Sequence, residues 1–228
     1  MAQAAVSQPT EPQALAPRLR INEIFHSLQG ETDSVGLPTV FVRLSGCPLR
    51  CQYCDTAYAF GAGASQSVAQ VLEQVASWRV QHVTVSGGEP LAQPACLALL
   101  RALCDAGYEV SLETSGALDV SGVDARVRKV LDIKTPGSGE AHRNLWENLA
   151  CMGQQDQIKF VICDRRDFDW ARQQLTEREL NRISPVLFSP SYDQLPAREL
   201  ADWVVQHQLP VRFQIQLHKL LWGDVPGV

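Results

Sequence analysis

The stretch PTVFVRLSGCPLRCQYCDT, residues 38–56, joins an apolar run to a loop that carries three cysteines. Its first half is rich in β-branched and apolar residues, which is typical of a strand. Cys47, Cys51 and Cys54 follow at the spacing C-x3-C-x2-C, so one short loop presents three thiols. Thiolates at this spacing can converge on one metal centre. The stretch therefore predicts a metal-binding loop directly after a strand.

This ligand set is incomplete for a structural zinc site. Structural zinc normally takes four Cys or His ligands in paired short spacings, and no second pair stands at a usual distance in the sequence. A 4Fe-4S cluster held by three cysteines instead keeps one iron open for a ligand that the protein does not supply. We interpret the loop as the holder of a 4Fe-4S cluster, with zinc and a metal-free loop as alternatives.

Around this loop, strand-like and helix-like segments alternate. INEIF and then PTVFVRLSG are strand-like runs before the cysteines. Beyond them, the strand-like runs are HVTVS, YEVSLE, VRKVLDI, QIKFVI, SPVLFS and VRFQI, and helices are expected near residues 67–78, 94–106, 143–151, 167–179 and 196–206. Such alternation predicts parallel strands joined by right-handed helical crossovers. Because about seven strands are too few for an eightfold barrel, the expected fold class is α/β, an open partial barrel.

Composition and charge restrict the classes of partner. The chain has 228 residues, a formal net charge of −5 and no run of Lys or Arg, which argues against nucleic acid as a partner. No segment resembles a membrane span or a signal peptide, so we expect a cytoplasmic protein with no membrane contact. Residues 1–19 read as a flexible N-terminal tail, and residues 20–228 as one catalytic domain. The scattered cysteines are expected in the core: Cys96, Cys104, Cys151 and Cys163.

Polar clusters follow three of the predicted strands, at the end where parallel α/β folds carry their chemistry. In SGGEP (86–90), the paired glycines let backbone approach a ligand closely, and Glu89 offers an acceptor. ETSG (113–116) and Asp132-Ile133-Lys134 occupy the next two strand ends. For each of the three, a plain or capped turn is the alternative.

The three cysteines, with Tyr53 just before the last, resemble the signature of the radical S-adenosylmethionine (SAM) superfamily, and SGGEP matches its GGEP motif. The resemblance implies a partial (β/α)6-type barrel in which the cluster on Cys47, Cys51 and Cys54 binds SAM and generates a 5′-deoxyadenosyl radical. For Tyr53, packing of the loop is an equal alternative to a surface beside the adenine. The residues implied to contact SAM are Tyr53, Cys54, Asp55, Gly87, Gly88, Glu89, Glu113, Ser115, Asp132, Ile133 and Lys134.

Outside these motifs, SLQGE (27–31), the cysteine loop and QLHK (216–219) are similar to the 7-carboxy-7-deazaguanine synthase family, over nearly the whole chain from Ile21. The resemblance implies ring contraction of 6-carboxy-5,6,7,8-tetrahydropterin with loss of ammonia and regeneration of SAM, in queuosine and 7-deazapurine biosynthesis. It also implies Mg²⁺ on Thr56, flavodoxin or ferredoxin as electron donor, and a homodimer. The residues implied to bind the pterin are Leu28, Gln29, Gly30, Glu31, Arg43, Ser86, Gln216, His218 and Lys219.

The chain departs from the commoner pattern of that family at three places. Ser86 replaces a frequent threonine, DIK stands where SPK is often found, and the chain continues past Lys219 as LLWGDVPGV. His218 and Lys219 have a surface position as their alternative. Two other functions stay open at this point: an activase that installs a glycyl radical on a partner protein, and a non-enzymatic iron-sulfur electron carrier, which usually has a fourth cysteine ligand.

Overall fold

A computed structural model describes residues 17–61, 63–225 and 227 of the chain. Most of the predicted N-terminal tail, residues 1–16, lies outside the described residues. Arg18 and Leu19, placed by the sequence at the end of that tail, are instead the first residues of a strand, and Leu19 is buried. None of the helices in the described ranges is long and apolar enough to cross a membrane.

The strands of the described residues form one sheet. They are β1 (Arg18–Leu28), β2 (Pro38–Leu44), β3 (Ala64–Ser67), β4 (His82–Gly87), β5 (Glu109–Thr114), β6 (Arg128–Ile133), β7 (Gln157–Ile162), β8 (Val186–Pro190) and β9 (Arg212–Phe213). Their order is β3-β1-β2-β4-β5-β6-β7-β8-β9. β1 pairs antiparallel with β2 and β3, and every pairing from β2 to β9 is parallel. The ends of the order do not pair with each other, so the sheet is an open partial barrel, as the sequence predicts.

In the described part of the chain, α-helices lie in four of the connections between strands, and one further helix follows the last strand. They are α1 (Val68–Ala76), α2 (Cys96–Asp105), α3 (Arg165–Glu177), α4 (Leu180–Ile183), α5 (Ala197–Gln206) and α6 (Leu217–Trp222). α1 begins with a capping box in which the side chains of Ser67 and Gln70 each accept from the other residue's backbone N–H. The sequence analysis did not predict the short elements β3, α4 and α6.

The α-helix expected near residues 143–151 is wrong. The structure has 3-10 segments there, Ala141–Arg143 and Trp146–Cys151. Asn148 explains the difference, because its side chain accepts from Val120 N (3.1 Å) and donates to Leu118 O (2.8 Å), which ties the segment to the loop after β5. Such side-chain bonds to distant backbone compete with a regular helix.

Alternation along the parallel strands separates the core from a cavity. On β7, Ile158, Phe160 and Ile162 are buried in an apolar core cluster, whereas Lys159 and Val161 face the other side and line the cavity. The other central strands follow the same pattern. Polar residues on β2, β4, β5, β6 and β7 therefore line the cavity: Arg43, Ser86, Glu113, Asp132 and Lys159, with Thr114 at the end of β5.

The loop after β1 reaches across to the C-terminal segment. Leu217 N donates to Gly30 O (2.9 Å), and the Gln214 side chain bonds both Thr32 N (2.6 Å) and Thr32 O (2.7 Å). A Cβ on Gly30 would lie 2.0 Å from His218 Nδ1, so this contact requires glycine. Residues near the two ends of the described chain thus meet beside the same cavity.

The four scattered cysteines do not share one environment. Cys96 is buried, and Cys104 packs against the same core cluster. Cys163 is half-buried, whereas Cys151 is exposed. The expected core position is therefore wrong for Cys151, because it ends a 3-10 segment at the protein surface.

An ion pair on the core side of the sheet yields a prediction about stability. Lys129 Nζ lies 3.0 Å from Asp156 Oδ2, with the two side chains 7% and 2% exposed. We expect Asp156→Ala to lower the free energy of unfolding by about 3–5 kcal/mol, because it leaves a buried ammonium unpaired. Asp202→Ala is the control, since Asp202 pairs with Arg198 at 3.8 Å on the surface, where such pairs contribute about 0–1 kcal/mol. Urea denaturation measures both, and equal losses would contradict the prediction.

Candidate active site

The strand ends surround a cavity of about 450 Å³. The cysteine loop, the loop after β1, the polar strand residues and the C-terminal segment all contribute to its wall. Every site residue predicted from the sequence lines this cavity except Glu89 and Ile133. Folding therefore brings together motifs that are separated by up to almost the whole length of the chain.

The cysteine loop packs directly against the SGGEP motif. Gly88 N donates to Leu44 O (3.2 Å), and Glu89 N donates to Gly46 O (2.9 Å). A Cβ on Gly88 would lie 2.2 Å from Gly46 O and 2.8 Å from Cys47 Cβ, so a larger residue would push the two segments apart. This close approach gives the glycines a purpose beyond that of a plain turn.

The three cysteines lie together in the cavity wall, as the predicted iron-sulfur cluster requires. They are half-buried and line the same cavity. Burial raises the pKa of Cys51 to about 11 and also raises the pKa values of Cys47 and Cys54, a cost that coordination to iron offsets. Among the described residues, no group of three or more His, Cys, Asp or Glu side chains is arranged to share one ion. In a cubane cluster each cysteine binds a different iron, so its ligands stand farther apart.

Unpaired polar atoms in the wall indicate a polar ligand. Within the described ranges, Tyr53 Oη, Asp132 Oδ1 and Ser189 Oγ are buried without a hydrogen-bond partner. All three residues line the cavity. Because buried polar groups are normally hydrogen-bonded, we expect a bound molecule to satisfy them. SAM carries amino, carboxylate and hydroxyl groups that suit such partners.

Glu89 is buried next to the cavity but does not line it. It is 0% exposed, and its carboxylate accepts hydrogen bonds from Leu91 N (3.0 Å), Thr114 Oγ1 (2.9 Å) and Ser115 N (2.7 Å). This carboxylate therefore holds Leu91 and the ETSG loop, whose Ser115 does line the cavity.

Ile133 is the other predicted SAM contact that does not line the cavity. Its side chain is 0% exposed and belongs to the core cluster. The alternation of β6 is the reason, since Asp132 and Lys134 on either side of it line the cavity. Lys134 Nζ pairs with Asp132 Oδ2 at 3.0 Å and lies 5.9 Å from the Tyr53 ring centroid.

Glu31, in the loop after β1, places a carboxylate in the cavity wall. Lys159 Nζ bonds its Oε2, and Gln216 Nε2 donates to its Oε1 (3.0 Å). Burial disfavours the ionised form of Glu31, but the charge and hydrogen bond of Lys159, with the bond from Gln216, outweigh burial and lower the pKa of Glu31. Lys159 is not among the site residues predicted from the sequence. Its signal was a lone charged residue inside the apolar run QIKFVI, where a buried parallel strand is normally apolar throughout.

Glu113 lies with the predicted pterin-binding residues. It accepts hydrogen bonds from Gln29 Nε2 (3.3 Å) and Ser86 Oγ (3.2 Å), although the sequence analysis had placed it beside SAM. Burial and the negative charge of Glu31 raise its pKa. Gln29 is only 2% exposed and its Oε1 accepts from Glu31 N (3.2 Å), so this amide connects the Glu113 carboxylate with the backbone of Glu31. The two carboxylates thus differ in their affinity for a proton.

Arg43 does not face the cavity as a free cation. Its Nε lies 2.7 Å from Glu23 Oε1, and Tyr58 Oη donates to the same oxygen (2.8 Å). The guanidinium carbon lies 5.6 Å from the Phe25 ring centroid and 5.9 Å from that of Tyr58. Glu23 and the two rings therefore fix the orientation of Arg43 in the wall, which the sequence motifs do not reveal.

The C-terminal segment docks onto the cysteine loop. Lys219 Nζ lies 3.4 Å from Asp55 Oδ2 and 3.2 Å from Asp224 Oδ1. Burial disfavours ionised Asp55, but the hydrogen bond from Thr56 and the charge of Lys219 outweigh it and lower the pKa of Asp55 to about 2. Burial lowers the pKa of His218, which also lines the cavity. A surface position is therefore wrong for His218 and Lys219.

Known proteins are similar to this chain in sequence and in fold. Residues 41–134 match the Radical SAM superfamily. A 7-carboxy-7-deazaguanine synthase of Chlorobaculum tepidum is 40% identical over 214 residues, which cover 92% of this chain and 97% of that protein. One from Thermoplasma acidophilum is 37% identical over 91% of this chain and 99% of that protein. QueE from Escherichia coli superposes with a TM-score of 0.74 at 23% identity, covering 88% and 95% of the two chains, a likeness of fold alone.

The cysteine loop yields a prediction about cluster binding. We expect Cys51→Ala to lose the intact cluster while the chain still folds, because one of the three ligands is removed from a loop outside the core. Cys151→Ala is the matched control, since Cys151 is exposed and does not line the cavity. Iron and sulfide content after anaerobic reconstitution, with the visible absorption spectrum, measures the effect. A full cluster in Cys51→Ala would show that the ligand assignment is wrong.

The buried position of Glu89 yields a prediction about cofactor binding. We expect Glu89→Gln to raise the Kd for SAM roughly tenfold, because an amide cannot accept all the bonds that orient Thr114 and Ser115. Equilibrium binding of SAM to the reconstituted protein measures this change. Glu147→Gln, at an exposed glutamate outside the cavity, should leave the Kd unchanged. Equal Kd values for Glu89→Gln and the unaltered protein would contradict the role assigned to Glu89.

Proposed function

The chain belongs to the 7-carboxy-7-deazaguanine synthase family of radical SAM enzymes, and from this premise we propose how its own residues carry out the reaction. The enzyme acts by radical ring contraction in 7-deazapurine biosynthesis. We propose that its substrate is 6-carboxy-5,6,7,8-tetrahydropterin and that the cavity holds this pterin beside SAM. The strands β1 to β9 of the described residues form one sheet, which supports a single catalytic domain.

On the cofactor side, Cys47, Cys51 and Cys54 would hold the cluster. When bound, the cluster and SAM supply a 5′-deoxyadenosyl radical that removes a hydrogen atom from the substrate. Ser115 and Asp132 offer hydrogen-bond partners to SAM from neighbouring strand ends, and the Tyr53 ring offers a surface for its adenine. The unpaired Asp132 Oδ1 and Tyr53 Oη support this placement.

On the substrate side, the pairing of Glu31 with Lys159 is the observation that carries the proposal. A pterin presents adjacent N–H groups at one edge and, in this substrate, a carboxylate elsewhere. An ionised Glu31 accepts from the N–H edge, and Arg43 provides a guanidinium for the carboxylate. Acidic and basic groups in one cavity wall therefore match both polar ends of the molecule.

Proton transfer accompanies the loss of ammonia, and Glu113 is suited to it. Its raised pKa lets it bind a proton at a pH at which Glu31 stays ionised. Two carboxylates whose environments separate their pKa values are a common arrangement for acid and base roles. Ser86 and Gln29 hold Glu113 in place for this exchange.

Further parts of the proposal concern the metal ion and the partners. Thr56 would contribute a hydroxyl oxygen to Mg²⁺, beside Asp55, with substrate oxygens and water completing the shell. A flavodoxin or ferredoxin would supply the electron, and the enzyme would work in the cytoplasm as a homodimer. An activase would need a groove for a peptide loop, whereas the volume of this cavity is that of a small-molecule site.

Product analysis tests the proposed function. The enzyme, reconstituted anaerobically with iron and sulfide, is incubated with SAM, a reductant, Mg²⁺ and 6-carboxytetrahydropterin. We expect 7-carboxy-7-deazaguanine by mass spectrometry without net loss of SAM, and a lower rate when EDTA replaces Mg²⁺. Cys51→Ala serves as the inactive control. Release of 5′-deoxyadenosine without the deazaguanine product would refute the substrate while retaining the superfamily.

A further inference from the structure

We infer that Lys159 is a positioning residue that holds the Glu31 carboxylate in the cavity wall and thereby selects a heterocycle with two adjacent N–H donors. This inference rests on the proposed function, because it concerns the same substrate and the same wall. It assigns a role to a residue that lies outside every motif of the sequence analysis.

Lys159 is fixed by the strand that carries it. Its neighbours Ile158 and Phe160 are buried in the core on the opposite face of β7, and it pairs in register with Asp132 on β6. The bond from its Nζ to Glu31 spans 128 residues of sequence and connects β7 with the loop after β1. Both side chains are only 12% exposed. A rigid strand thus holds a cation against a carboxylate that belongs to a loop.

The hydrogen bonds of Glu31 leave a free edge for a ligand. Lys159 bonds Oε2 and Gln216 donates to Oε1. An ionised carboxylate has about two acceptor sites on each oxygen, so one site on each remains available after these bonds. Two acceptors side by side match two parallel N–H donors, such as the 2-amino group and the adjacent ring N–H of a pterin.

The loop itself is held from its backbone. Gln29 Oε1 accepts from Glu31 N (3.2 Å), and the Gln214 side chain bonds both backbone groups of Thr32. Thr32 has φ +69°, a left-handed conformation that a threonine rarely adopts, so this clasp fixes an unusual turn. These hydrogen bonds fix the position of the Glu31 backbone, and the bond from Lys159 fixes the position of its carboxylate.

The charges around Glu31 make Lys159 the balancing cation. Glu31 is faced by Glu113 from β5, by Asp55 from the cysteine loop and by His218 from α6, with Lys219 farther along α6. Without the ammonium, Lys134 would still pair with Asp132 and Arg43 with Glu23, but Glu31 would lose the cation that bonds it. Glu31 would then take up a proton, and its O–H would oppose an N–H donor of the substrate instead of accepting from it.

Lys159→Met tests the inference in the reconstituted enzyme. We expect the KM and Kd for 6-carboxytetrahydropterin to rise roughly 10- to 100-fold while the Kd for SAM stays unchanged. We also expect weaker discrimination against the corresponding tetrahydrolumazine, in which an oxygen replaces the 2-amino group. Lys159→Arg keeps the positive charge and should restore part of the affinity for the pterin.

Lys129→Met is the matched control. Lys129 is also a buried lysine paired with a carboxylate, but it lies on the core side of β6 and does not line the cavity. We expect this variant to lose stability while its pterin KM and its discrimination stay at the wild-type values. A general loss of a buried charge would affect both variants alike, whereas the positioning role affects Lys159→Met alone.

Three results would overturn the inference. They are a pterin KM within twofold of the wild-type value, unchanged discrimination against the lumazine, or a SAM Kd that rises in step with the pterin Kd. If Lys159→Met does not fold, the double variant Lys159→Met/Glu31→Gln removes both charges of the pair, and retained discrimination in it also overturns the inference. A wild-type enzyme without pterin turnover refutes the proposed function, whereas wild-type turnover with an unaffected Lys159→Met refutes only the role of Lys159.

Discussion

Successive side chains of a strand face opposite sides of the sheet, and this period of two organises the whole molecule. Apolar residues of the parallel strands pack against the helices on one side, and polar residues line the cavity on the other. Because neighbouring strands run parallel and in register, polar residues of adjacent strands come to lie together: Arg43 pairs in register with Ser86, and Asp132 with Lys159. The reactive surface is therefore built mainly on strands, and loops complete it.

Close backbone contacts attach the cysteine loop to this sheet. Gly88 permits the approach of Gly46 and Cys47, and the buried Glu89 ties the end of β4 to Thr114 and Ser115 at the end of β5. The GGEP segment thus contributes to the site in two ways. Gly88 packs against the cysteine loop, and the buried Glu89 carboxylate, which does not line the cavity, holds Thr114 and Ser115. Loss of either contact would shift the SAM side of the cavity relative to the pterin side.

Two buried lysines show how the face of a strand determines a role. Lys129 and Lys159 lie on neighbouring strands, and each pairs with a carboxylate. Desolvation makes a buried ion pair a weak source of stability compared with apolar packing, so such pairs need a further explanation. Asp156 also accepts from Lys129 N (2.8 Å) and Gly153 N (2.9 Å), so the first pair organises backbone between strands. The second pair opens onto the cavity, where an oriented carboxylate is available to a substrate.

The sequence by itself determined the order of the longer strands and most helices, but not β3, α4, α6 or the 3-10 segments within residues 141–151. It also determined the open α/β barrel and the cysteine loop, since periodicity and short spacings are local properties of a chain. Polar clusters at strand ends predicted one part of the cavity wall, because such clusters fall together in a parallel sheet, and the resemblance to a known family implied most of the rest. Only the tertiary structure decided which polar groups pair, as with Lys159 and Glu31, Arg43 and Glu23, and Glu89 and Ser115. It also decided that Ile133 belongs to the core and that residues 146–151 form a 3-10 segment. The physical reason is distance along the chain: such contacts join residues as far apart as Lys159 and Glu31, at 128 positions, or Gln216 and Glu31, at 185, and their geometry exists only once the sheet has formed.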